Sequence, residues 1–244
     1  MRAVAVIPAR YASTRFPGKP LVPLLGRPMI AWVVEAASRA RELSGVWVAT
    51  DHEGIAGAAR AAGAGVVMTS ADCASGTDRV AEAARKLHPA PEIVVNLQGD
   101  EPLIEPEAIE ALLAAMAESG AEMGTLARPL EPGEAERPQV VKVVTDLSGH
   151  ALYFSRALIP HRREGGVSPL CRAHVGIYAF TAPFLERFAR LAPGRLEGEE
   201  ALEQLRALEN GVRIRVADTA YRGFGIDTPE DLERARALVA ASTR

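Results

Sequence analysis

The stretch AVAVIPARYASTRFPGKP, residues 3–20, joins a short apolar run to a loop that is rich in cations. Residues 3–7 (AVAVI) are apolar throughout and are followed by a proline, which predicts a fully buried strand. The loop then carries Arg10, Arg15 and Lys19 with no acidic residue between them. Such a loop is either a solvated connection or a seat for a strongly negative ligand, and the rest of the sequence has to decide between the two.

Strands and helices alternate through the first half of the chain. Short apolar runs predict strands at 3–7, 46–50, 65–69 and 92–98. Helical spacing, prolines in a first turn and a capping-box-like SGTD predict helices at 28–40, 53–62, 75–87 and 106–119. This order predicts βαβ units, and hence an α/β fold with a doubly wound, mostly parallel sheet of the Rossmann-like nucleotidyltransferase type.

Four polar segments follow a strand or open a helix in this half of the chain. They are the cationic loop, ATDH (49–52), SGTDR (75–79) and LQGDEP (97–102). Ligands of parallel sheets bind beyond the carboxyl ends of the strands, which all lie at one edge. We therefore expect these segments to converge on one site.

The second half of the chain has a different pattern. VVKVVTDLSGHALYFSR (140–156) alternates polar and apolar residues across a Ser148-Gly149 turn, which predicts an antiparallel hairpin. Further on, the sequence predicts a polar loop, a strand, two helices, a strand and a terminal helix, at 161–172, 174–180, 182–191, 196–210, 213–218 and 229–242. We expect one domain over 1–244 with a smaller β-rich insertion at about 125–180.

Composition limits the function classes. The 244 residues are 48% hydrophobic and 24% charged, as in an ordinary globular protein. The net charge of −3 gives no general attraction to nucleic acid or to acidic membranes, so any cationic function is local. No apolar stretch is long enough to predict a membrane span or a signal peptide, and the two cysteines predict no disulfide framework. We expect a cytoplasmic protein.

The cationic loop suits a triphosphate. Arginine offers a fork of donors to phosphate oxygens, and lysine offers a compact point charge. The spacing is not that of a P-loop, which argues against the P-loop ATPases and kinases. The first strand is followed by PARYAS and not by a G-x-G-x-x-G turn, which argues against a dinucleotide-dependent oxidoreductase.

Two acidic segments are candidates for a metal site. Asp100 and Glu101 follow a predicted buried strand, and carboxylates beside a phosphate site are what Mg²⁺ binds. We favour Asp100 as a ligand, whereas Glu101 equally suits a polar turn. Asp227 precedes Thr228 and Pro229, and the residues alone favour a helix cap over a ligand at this position.

A third candidate set lies in the predicted insertion. His174 and Tyr178 are four residues apart in a predicted strand, so they share one face. The residues alone favour packing for this pair. The arginines nearby could hold a sugar carboxylate, and they are Arg156, Arg162, Arg163 and Arg172.

The motifs, taken in order, resemble one known family. IPARYASTRFPGKPL, VATDH, SGTDR, VNLQGDEP, VKVV, ALYFSRALIP, HVGIYAF, LEQLR and GIDTPEDL resemble the CMP-Kdo synthetases, the 3-deoxy-manno-octulosonate cytidylyltransferases. The resemblance runs from residue 4 to about residue 236. It implies a cytoplasmic homodimer that uses Mg²⁺ to convert CTP and Kdo into CMP-Kdo and diphosphate, for the inner core of lipopolysaccharide. The insertion would then bind the sugar and mediate dimerisation.

The resemblance also implies roles for individual residues. Arg10, Arg15 and Lys19 correspond to the grip on the triphosphate, Ser75 and Gln98 to cytosine or ribose contacts, and Thr50 is grouped with these nucleotide-binding residues. Asp100 and Asp227 correspond to the metal ligands, and together with Lys19 and Arg10 they form the implied catalytic set. The implied sugar-binding set is Arg156, His174, Tyr178, Glu203 and Gln204. Asp227 thereby changes from a cap to a ligand, and His174 and Tyr178 change from packing to substrate contacts.

The chain departs from the family pattern on the sugar side. The loop HRREGGVSPLC is shorter than is common, Ala173 stands where a basic residue is usual, and Gly198-Glu199 replaces a pair such as His-Ile. These departures leave open the same transfer onto a related keto-deoxy acid, such as an 8-amino form of Kdo or a sialic-like acid. A non-catalytic CTP-binding regulator is the other alternative.

Overall fold

The computed structural model describes residues 2–12, 16–223, 225–226 and 228–242, and it divides the chain into two compact units. The first unit is Met1–Glu110 with Gly223–Arg244, and the second is Ala111–Arg222. The second unit contains the segment predicted as an insertion.

A parallel sheet forms the core of the first unit. Its strands among the described residues are β1 (Ala3–Ala9), β4 (Leu43–Thr50), β5 (Gly65–Met68) and β6 (Ile93–Asn96), and a short hairpin of β2 (Pro23–Leu24) and β3 (Arg27–Pro28) lies outside the sheet. β1 pairs in parallel with both β4 and β6, and β5 pairs in parallel with β4. The four strands predicted in this half are confirmed, with β1 and β4 longer than predicted.

Helices follow the parallel strands as predicted. They are α1 (Met29–Ser38), α2 (Glu53–Ala61), α3 (Gly76–Lys86) and α4 (Pro106–Ser119), and the boundary between the two units falls within α4. The predicted capping box of α3 is confirmed. The Ser75 hydroxyl accepts from the Asp78 amide at 3.1 Å, and the Asp78 carboxylate accepts from the Ser75 amide at 3.0 Å.

The second unit has a mixed sheet. Its described strands are β7 (Met123–Pro129), β8 (Lys142–Thr145), β9 (Ala151–Ser155), β10 (Arg172–Thr181) and β11 (Ile214–Asp218). β11 pairs in parallel with β7, whereas β10 pairs antiparallel with β7 and β8. β8 and β9 form the predicted antiparallel hairpin, whose turn has Gly149 at a φ of 76°. β7 was not predicted from the sequence.

One predicted helix of the second unit is wrong. The helices are α5 (Ala182–Phe188), α6 (Arg195–Glu200) and α7 (Leu205–Glu209), so the segment predicted as one helix over 196–210 is broken. Ala201 adopts a left-handed conformation with φ 49°. The Arg156 guanidinium donates to the carbonyls of Glu200 (2.6 Å) and Ala201 (3.2 Å), which satisfies them without a continuing helix.

The chain ends with the predicted helix α8 (Pro229–Ser242), which returns to the first unit. Leu232, Ala235 and Val239 pack with Leu24, Met29 and Ile226 in one apolar cluster. This packing ties the C-terminal segment to the region around β2 and α1. Within the described residues, none of the helices is long and apolar enough to cross a membrane. The fold is mixed α/β with mostly parallel strand pairing in its first unit, as predicted.

Candidate active site

A cleft of about 370 Å³ lies at the carboxyl edge of the first unit's sheet. The loop after β1, the segment after β6 and the start of α3 supply its walls. Its described lining residues are Pro8, Ala9, Arg10, Lys19, Pro20, Cys73, Ala74, Ser75, Gly76, Arg79, Gln98, Gly99 and Asp100. The polar segments predicted to converge therefore do so, and Asp51 of the ATDH segment joins them through an ion pair with Arg79.

The loop after β1 is held in shape by its own backbone. The Gly18 amide donates to the Tyr11 carbonyl at 2.9 Å, and Gly18 has a φ of 71°, which favours glycine. A Cβ on Gly18 would lie 3.3 Å from the Tyr11 ring. That ring stacks on His52 with its centroid 4.3 Å away. These contacts set the start of the 3₁₀ turn Lys19–Leu21, and therefore the position of Lys19.

Lys19 and Asp100 meet inside the cleft. The Lys19 ammonium donates to Asp100 Oδ2 at 2.5 Å and to the carbonyl of Ile226 at 2.9 Å. Their side chains are 15% and 26% exposed, so the pair is partly shielded from solvent. A Cβ on Gly99 would lie 3.1 Å from the Pro8 carbonyl, so a glycine lets the loop carrying Asp100 approach β1 closely. The sequence thus brings its predicted cation and its predicted metal ligand to one point.

The start of α3 contributes a further cation to the cleft, which the sequence analysis did not assign. Arg79 is 3% exposed, and its guanidinium donates to Asp51 Oδ2 (3.1 Å) and to the Thr69 hydroxyl (2.6 Å). Arg79 lies four residues after Ser75, so the two share one face of the helix at the cleft. The i, i+4 spacing of Ser75 and Arg79 within SGTDR is the sequence feature that could have predicted Arg79 at the cleft.

The other predicted nucleotide residues differ in their placement. Arg10 and Gln98 line the cleft. Thr50 is fully buried, its hydroxyl accepts from the His52 amide at 3.2 Å, and it is not among the described lining residues. Its nucleotide contact stays a prediction. Arg15 and Asp227 lie outside the described residues.

The donor set of the cleft fits a magnesium ion. Mg²⁺ is typically bound through one or two carboxylates together with substrate phosphates, and it keeps several waters. Asp100 supplies a carboxylate that is partly accessible in the cleft beside the cations. The described residues contain no group of three or more His, Cys, Asp or Glu side chains that could hold a metal ion.

The predicted sugar-binding residues all lie in the second unit. His174 and Tyr178 are neighbours on β10, with ring centroids 5.5 Å apart, so the predicted shared face is confirmed. Burial of most of the His174 ring lowers its pKa to about 3. Burial and the nearby Glu203 charge raise the pKa of Tyr178. Both rings are therefore neutral around pH 7.

Arg156 is engaged with the backbone. Besides the carbonyls of Glu200 and Ala201, its guanidinium donates to the carbonyl of Pro138 at 3.1 Å. The Glu200 carboxylate in turn accepts from the Arg156 amide at 2.9 Å. Arg156 thus sets the position of the turn between α6 and α7. The sugar contact that the resemblance implies for it stays a prediction.

That turn presents the last two predicted sugar residues. Glu203 lies 3.7 Å from the Arg206 guanidinium. Gln204 is 3% exposed, and its buried Nε2 has no hydrogen-bond partner among the described residues. A buried amide that donates to nothing costs free energy unless a ligand accepts from it.

The remaining arginines of this region are spread over different partners. Arg172 pairs with Asp218 and donates to the Thr145 hydroxyl at 3.3 Å, so it is committed to neighbouring strands. Arg162 lies 3.7 Å from Glu164, and Arg163 is exposed. The departures Ala173 and Gly198 lie in β10 and α6.

A parallel α/β unit that gathers cations, a carboxylate and a helix start at the carboxyl edge of its sheet suits the binding of a nucleotide. This arrangement is typical of nucleotide-binding α/β proteins, a class that includes the nucleotidyltransferases. Comparisons with known proteins identify the branch of that class.

The sequence comparisons agree over nearly the whole chain. The cytidylyltransferase family model matches residues 4–214. A 3-deoxy-manno-octulosonate cytidylyltransferase from Anaeromyxobacter dehalogenans (strain 2CP-C) is 74% identical over 242 residues, which are 99% of this chain and 99% of that protein. The enzyme of the same name from Myxococcus xanthus (strain DK1622) is 49% identical over 240 residues, covering 98% of this chain and 97% of that protein. The chain belongs to the cytidylyltransferase family, and within it to the 3-deoxy-manno-octulosonate cytidylyltransferases.

The structural comparisons agree. The structure of a CMP:2-keto-3-deoxy-manno-octonic acid synthetase complexed with CTP matches with a TM-score of 0.92 at 42% identity, over 99% of this chain and 100% of that one. A cytidylyltransferase from Leptospira borgpetersenii, at 19% identity and a TM-score of 0.67, covers 99% of this chain and 87% of its own, and shares the fold. The protein is therefore an enzyme, as predicted.

Proposed function

We propose that this protein transfers the cytidylyl group of CTP to Kdo, with a Mg²⁺ ion held by Asp100 and Asp227. The anomeric hydroxyl of Kdo attacks the α-phosphorus of CTP, the bond to the β-phosphate breaks, and diphosphate leaves. The observation that carries the proposal is the meeting of Lys19 and Asp100 at 2.5 Å in a cleft lined by Arg10, Ser75 and Gln98.

The cations of the cleft have the task of stabilising the triphosphate. Arg10 and Lys19 line the part of the cleft that would face the phosphates of a bound nucleotide. Their positive charge offsets the negative charge that develops on the departing diphosphate. The amide groups at the start of α3 add a partial positive charge at the same wall. Arg79, anchored by Asp51 and Thr69, keeps a further positive charge fixed beside them.

The metal supplies charge neutralisation at the reacting phosphate and helps to ionise the attacking hydroxyl when it is bound. Asp100 contributes one of its ligands, and Lys19 exchanges its carboxylate partner for phosphate oxygens as substrate binds. Asp227, which lies outside the described residues, is assigned from the family resemblance.

The second unit has the task of recognising the sugar acid. His174 and Tyr178 offer neutral polar groups to hydroxyls, and the unpartnered Nε2 of Gln204 offers a donor to a carboxylate or hydroxyl oxygen. No covalent nucleophile is needed in this transfer, because the attacking group belongs to the sugar.

We also propose that the enzyme works as a cytoplasmic homodimer. Its second unit exposes the large apolar side chains of Leu147, Leu152 and Leu170, which are available to a partner protomer. Both cysteines are free thiols, which agrees with a reducing compartment. Neither nucleic acid nor membrane insertion has a part in this proposal, and CTP and Kdo are the small-molecule partners.

The test is diphosphate release by the purified protein with CTP and a panel of sugar acids. Release with Kdo in the presence of Mg²⁺, and its loss when the metal is chelated, is the expected result. A sialic acid and 8-amino-Kdo serve as comparison substrates, because they are the two alternative sugar acids. Release with either of these and none with Kdo would sink the proposal. Tight CTP binding with no turnover on any sugar would favour the regulator.

A further inference from the structure

We infer that Thr125 is a positioning residue for the sugar substrate, because its hydroxyl closes a bulge in β10 and holds His174 as the tautomer with hydrogen on Nε2. The inference rests on the proposed function in one respect, which is the contact between His174 and the sugar. Thr125 lies on β7 and is fully buried.

The bulge is visible in the pairing of β10 with β7. Val175 lies opposite Leu126 and Tyr178 lies opposite Thr125, so the residues between Val175 and Tyr178 have no counterpart on β7. Bulges of this kind redirect side chains and leave backbone groups without their usual ladder partners. The carbonyls of the bulge therefore need another donor.

The bulge is what makes His174 and Tyr178 neighbours. Residues four apart in a regular strand are about 13 Å apart along the chain. Here His174 lies opposite Ala127 and Tyr178 lies opposite Thr125, so they span only two residues of β7, or about 7 Å. Their ring centroids are consequently 5.5 Å apart.

Thr125 satisfies the bulge from the opposite strand. Its Oγ1 lies 2.8 Å from the carbonyl of Ile177 and 3.2 Å from that of Val175. Carbonyl oxygens accept only, so the single hydroxyl hydrogen must point to them, with Ile177 the nearer acceptor. The hydroxyl's lone pairs remain to accept a hydrogen bond.

His174 supplies that hydrogen bond. Its Nε2 lies 2.9 Å from Thr125 Oγ1, whose hydrogen is already given to a carbonyl, so Nε2 carries a hydrogen and donates. A neutral ring with hydrogen on Nε2 has its lone pair on Nδ1. Among the described residues, this contact is the side-chain hydrogen bond that His174 makes, which leaves Nδ1 to accept from a sugar hydroxyl. The Phe154 ring packs against the imidazole in a T-shaped arrangement, with the ring centroids 5.0 Å apart, and helps to hold it in place.

The first experiment reads the tautomer directly. Nitrogen-15 NMR of the histidine rings, with the His174 signals assigned by their loss in His174→Gln, is expected to show hydrogen on Nε2 and none on Nδ1 in the ligand-free wild-type enzyme. In Thr125→Val, which keeps the shape and removes the hydroxyl, a mixture of tautomers is expected. Thr125→Ser keeps the hydroxyl and is expected to retain the wild-type pattern. Hydrogen on Nδ1 in the wild type would overturn the inference, whether or not any variant folds.

The second experiment is steady-state kinetics on the same variants. Thr125→Val is expected to raise KM for Kdo about tenfold, the size of one lost oriented hydrogen bond, with KM for CTP changed less than twofold. Thr125→Ser is expected to stay within threefold of wild type on both. Equal effects of Thr125→Val on both substrates, or none on KM for Kdo, would contradict the positioning role.

The two proposals fail in different ways. If His174→Gln leaves KM for Kdo unchanged, then the assignment of His174 to the sugar falls, while the tautomer result still decides whether Thr125 orients the ring. If His174→Gln raises KM for Kdo and Thr125→Val does not, then the sugar site stands and Thr125 is only structural.

Discussion

The cleft of the first unit, proposed to bind the nucleotide, and the part of the second unit proposed to bind the sugar (the sugar side) use their polar side chains in different ways. In the cleft of the first unit, charged side chains stand at the ends of parallel strands and remain partly accessible, as Lys19 and Asp100 do. In the second unit, where the sugar is proposed to bind, polar groups are buried or half-buried and donate their hydrogen bonds to backbone carbonyls, as Lys142, Arg156 and Thr125 do. We therefore propose that the first region recognises its ligand by charge, and that the second recognises its ligand by the positions of a few neutral groups and of charged groups bonded to the backbone.

Lys142 is an example of a buried charged group whose hydrogen bonds all go to backbone carbonyls. It is fully buried, and its ammonium donates to the carbonyls of Arg137 (3.0 Å), Val140 (2.8 Å) and Arg156. An ammonium has three N–H donors, so these carbonyls account for all of them. Burial lowers the pKa of Lys142, yet the carbonyls stabilise its charged form. The Lys142 ammonium therefore links the loop at 137–140 to the end of β9 through hydrogen bonds.

The largest effect is expected in the cleft, from Asp100→Asn. This change keeps the shape and removes the charge, so turnover should fall at least about a hundredfold if the metal supplies several kcal/mol to the transition state. Diphosphate release under saturating CTP and Kdo measures it, and the melting temperature checks the fold. Glu105→Gln, at an exposed position, is the matched control and should be near wild type. Near-normal turnover in Asp100→Asn would remove Asp100 from the metal site.

On the sugar side, Lys142→Met should act on stability first. It keeps the side-chain length and leaves the backbone carbonyls without their donor, so the free energy of unfolding should fall by about 2 kcal/mol. Urea denaturation measures it. Lys86→Met is the control, because Lys86 is 49% exposed and its pair with Glu82 is worth little. Equal losses in the two variants would show that burial of Lys142 carries no special weight.

Arg79→Met tests whether the cleft of the first unit acts on CTP and not on Kdo. Arg79 lines the cleft, so losing its fixed charge should raise KM for CTP about tenfold and leave KM for Kdo within twofold. Arg85→Met, an exposed arginine on the same helix, should change neither constant. A rise confined to KM for Kdo would reverse the assignment.

The smallest effect is a pH dependence that belongs to His174. Its folded pKa of about 3 is below the ordinary value of about 6.5, so below pH 6.5 the unfolded chain binds a proton that the folded protein refuses. Stability should therefore fall between pH 7 and pH 5, by about 1 kcal/mol after allowance for the partly exposed ring. Among the described residues, the groups that contact the ring are Thr125, Phe154 and Tyr178, and none of these three is charged. Urea denaturation of wild type and His174→Gln at both pH values measures the free energy of unfolding. The same change between pH 7 and pH 5 in both proteins would contradict the prediction.

The same contrast explains how much the sequence could predict. The parallel strands, the cap at Ser75 and the convergence of the polar loops follow from local patterns, because buried strands and caps are written in neighbouring residues. Arg79 lies in the SGTDR motif, but its partners Asp51 and Thr69 directly follow the ends of β4 and β5, which are distant in sequence. The presence of Arg10, Lys19, Ser75, Gln98 and Asp100 in one cleft was therefore predictable, whereas their roles stay predictions.

The sugar side was predictable only in outline. β7 was missed because MGTLARP mixes glycine, arginine and proline with few apolar residues, and its Gly124 is needed where Met116 approaches: a Cβ there would lie 2.7 Å from the Met116 sulfur. The break between α6 and α7 depends on Arg156, more than forty residues away in sequence. The bulge in β10 depends on its pairing with β7. Such long-range pairing has no local signature.

A crystal structure of the enzyme with CTP and Mg²⁺ is the decisive measurement, because it shows which groups hold the metal and the triphosphate. We expect Asp100 and Asp227 to bind the same ion, which also binds a phosphate, and we expect Lys19 to leave Asp100 for a phosphate oxygen. A metal held without Asp100, while Lys19 remains paired to that carboxylate, would contradict it.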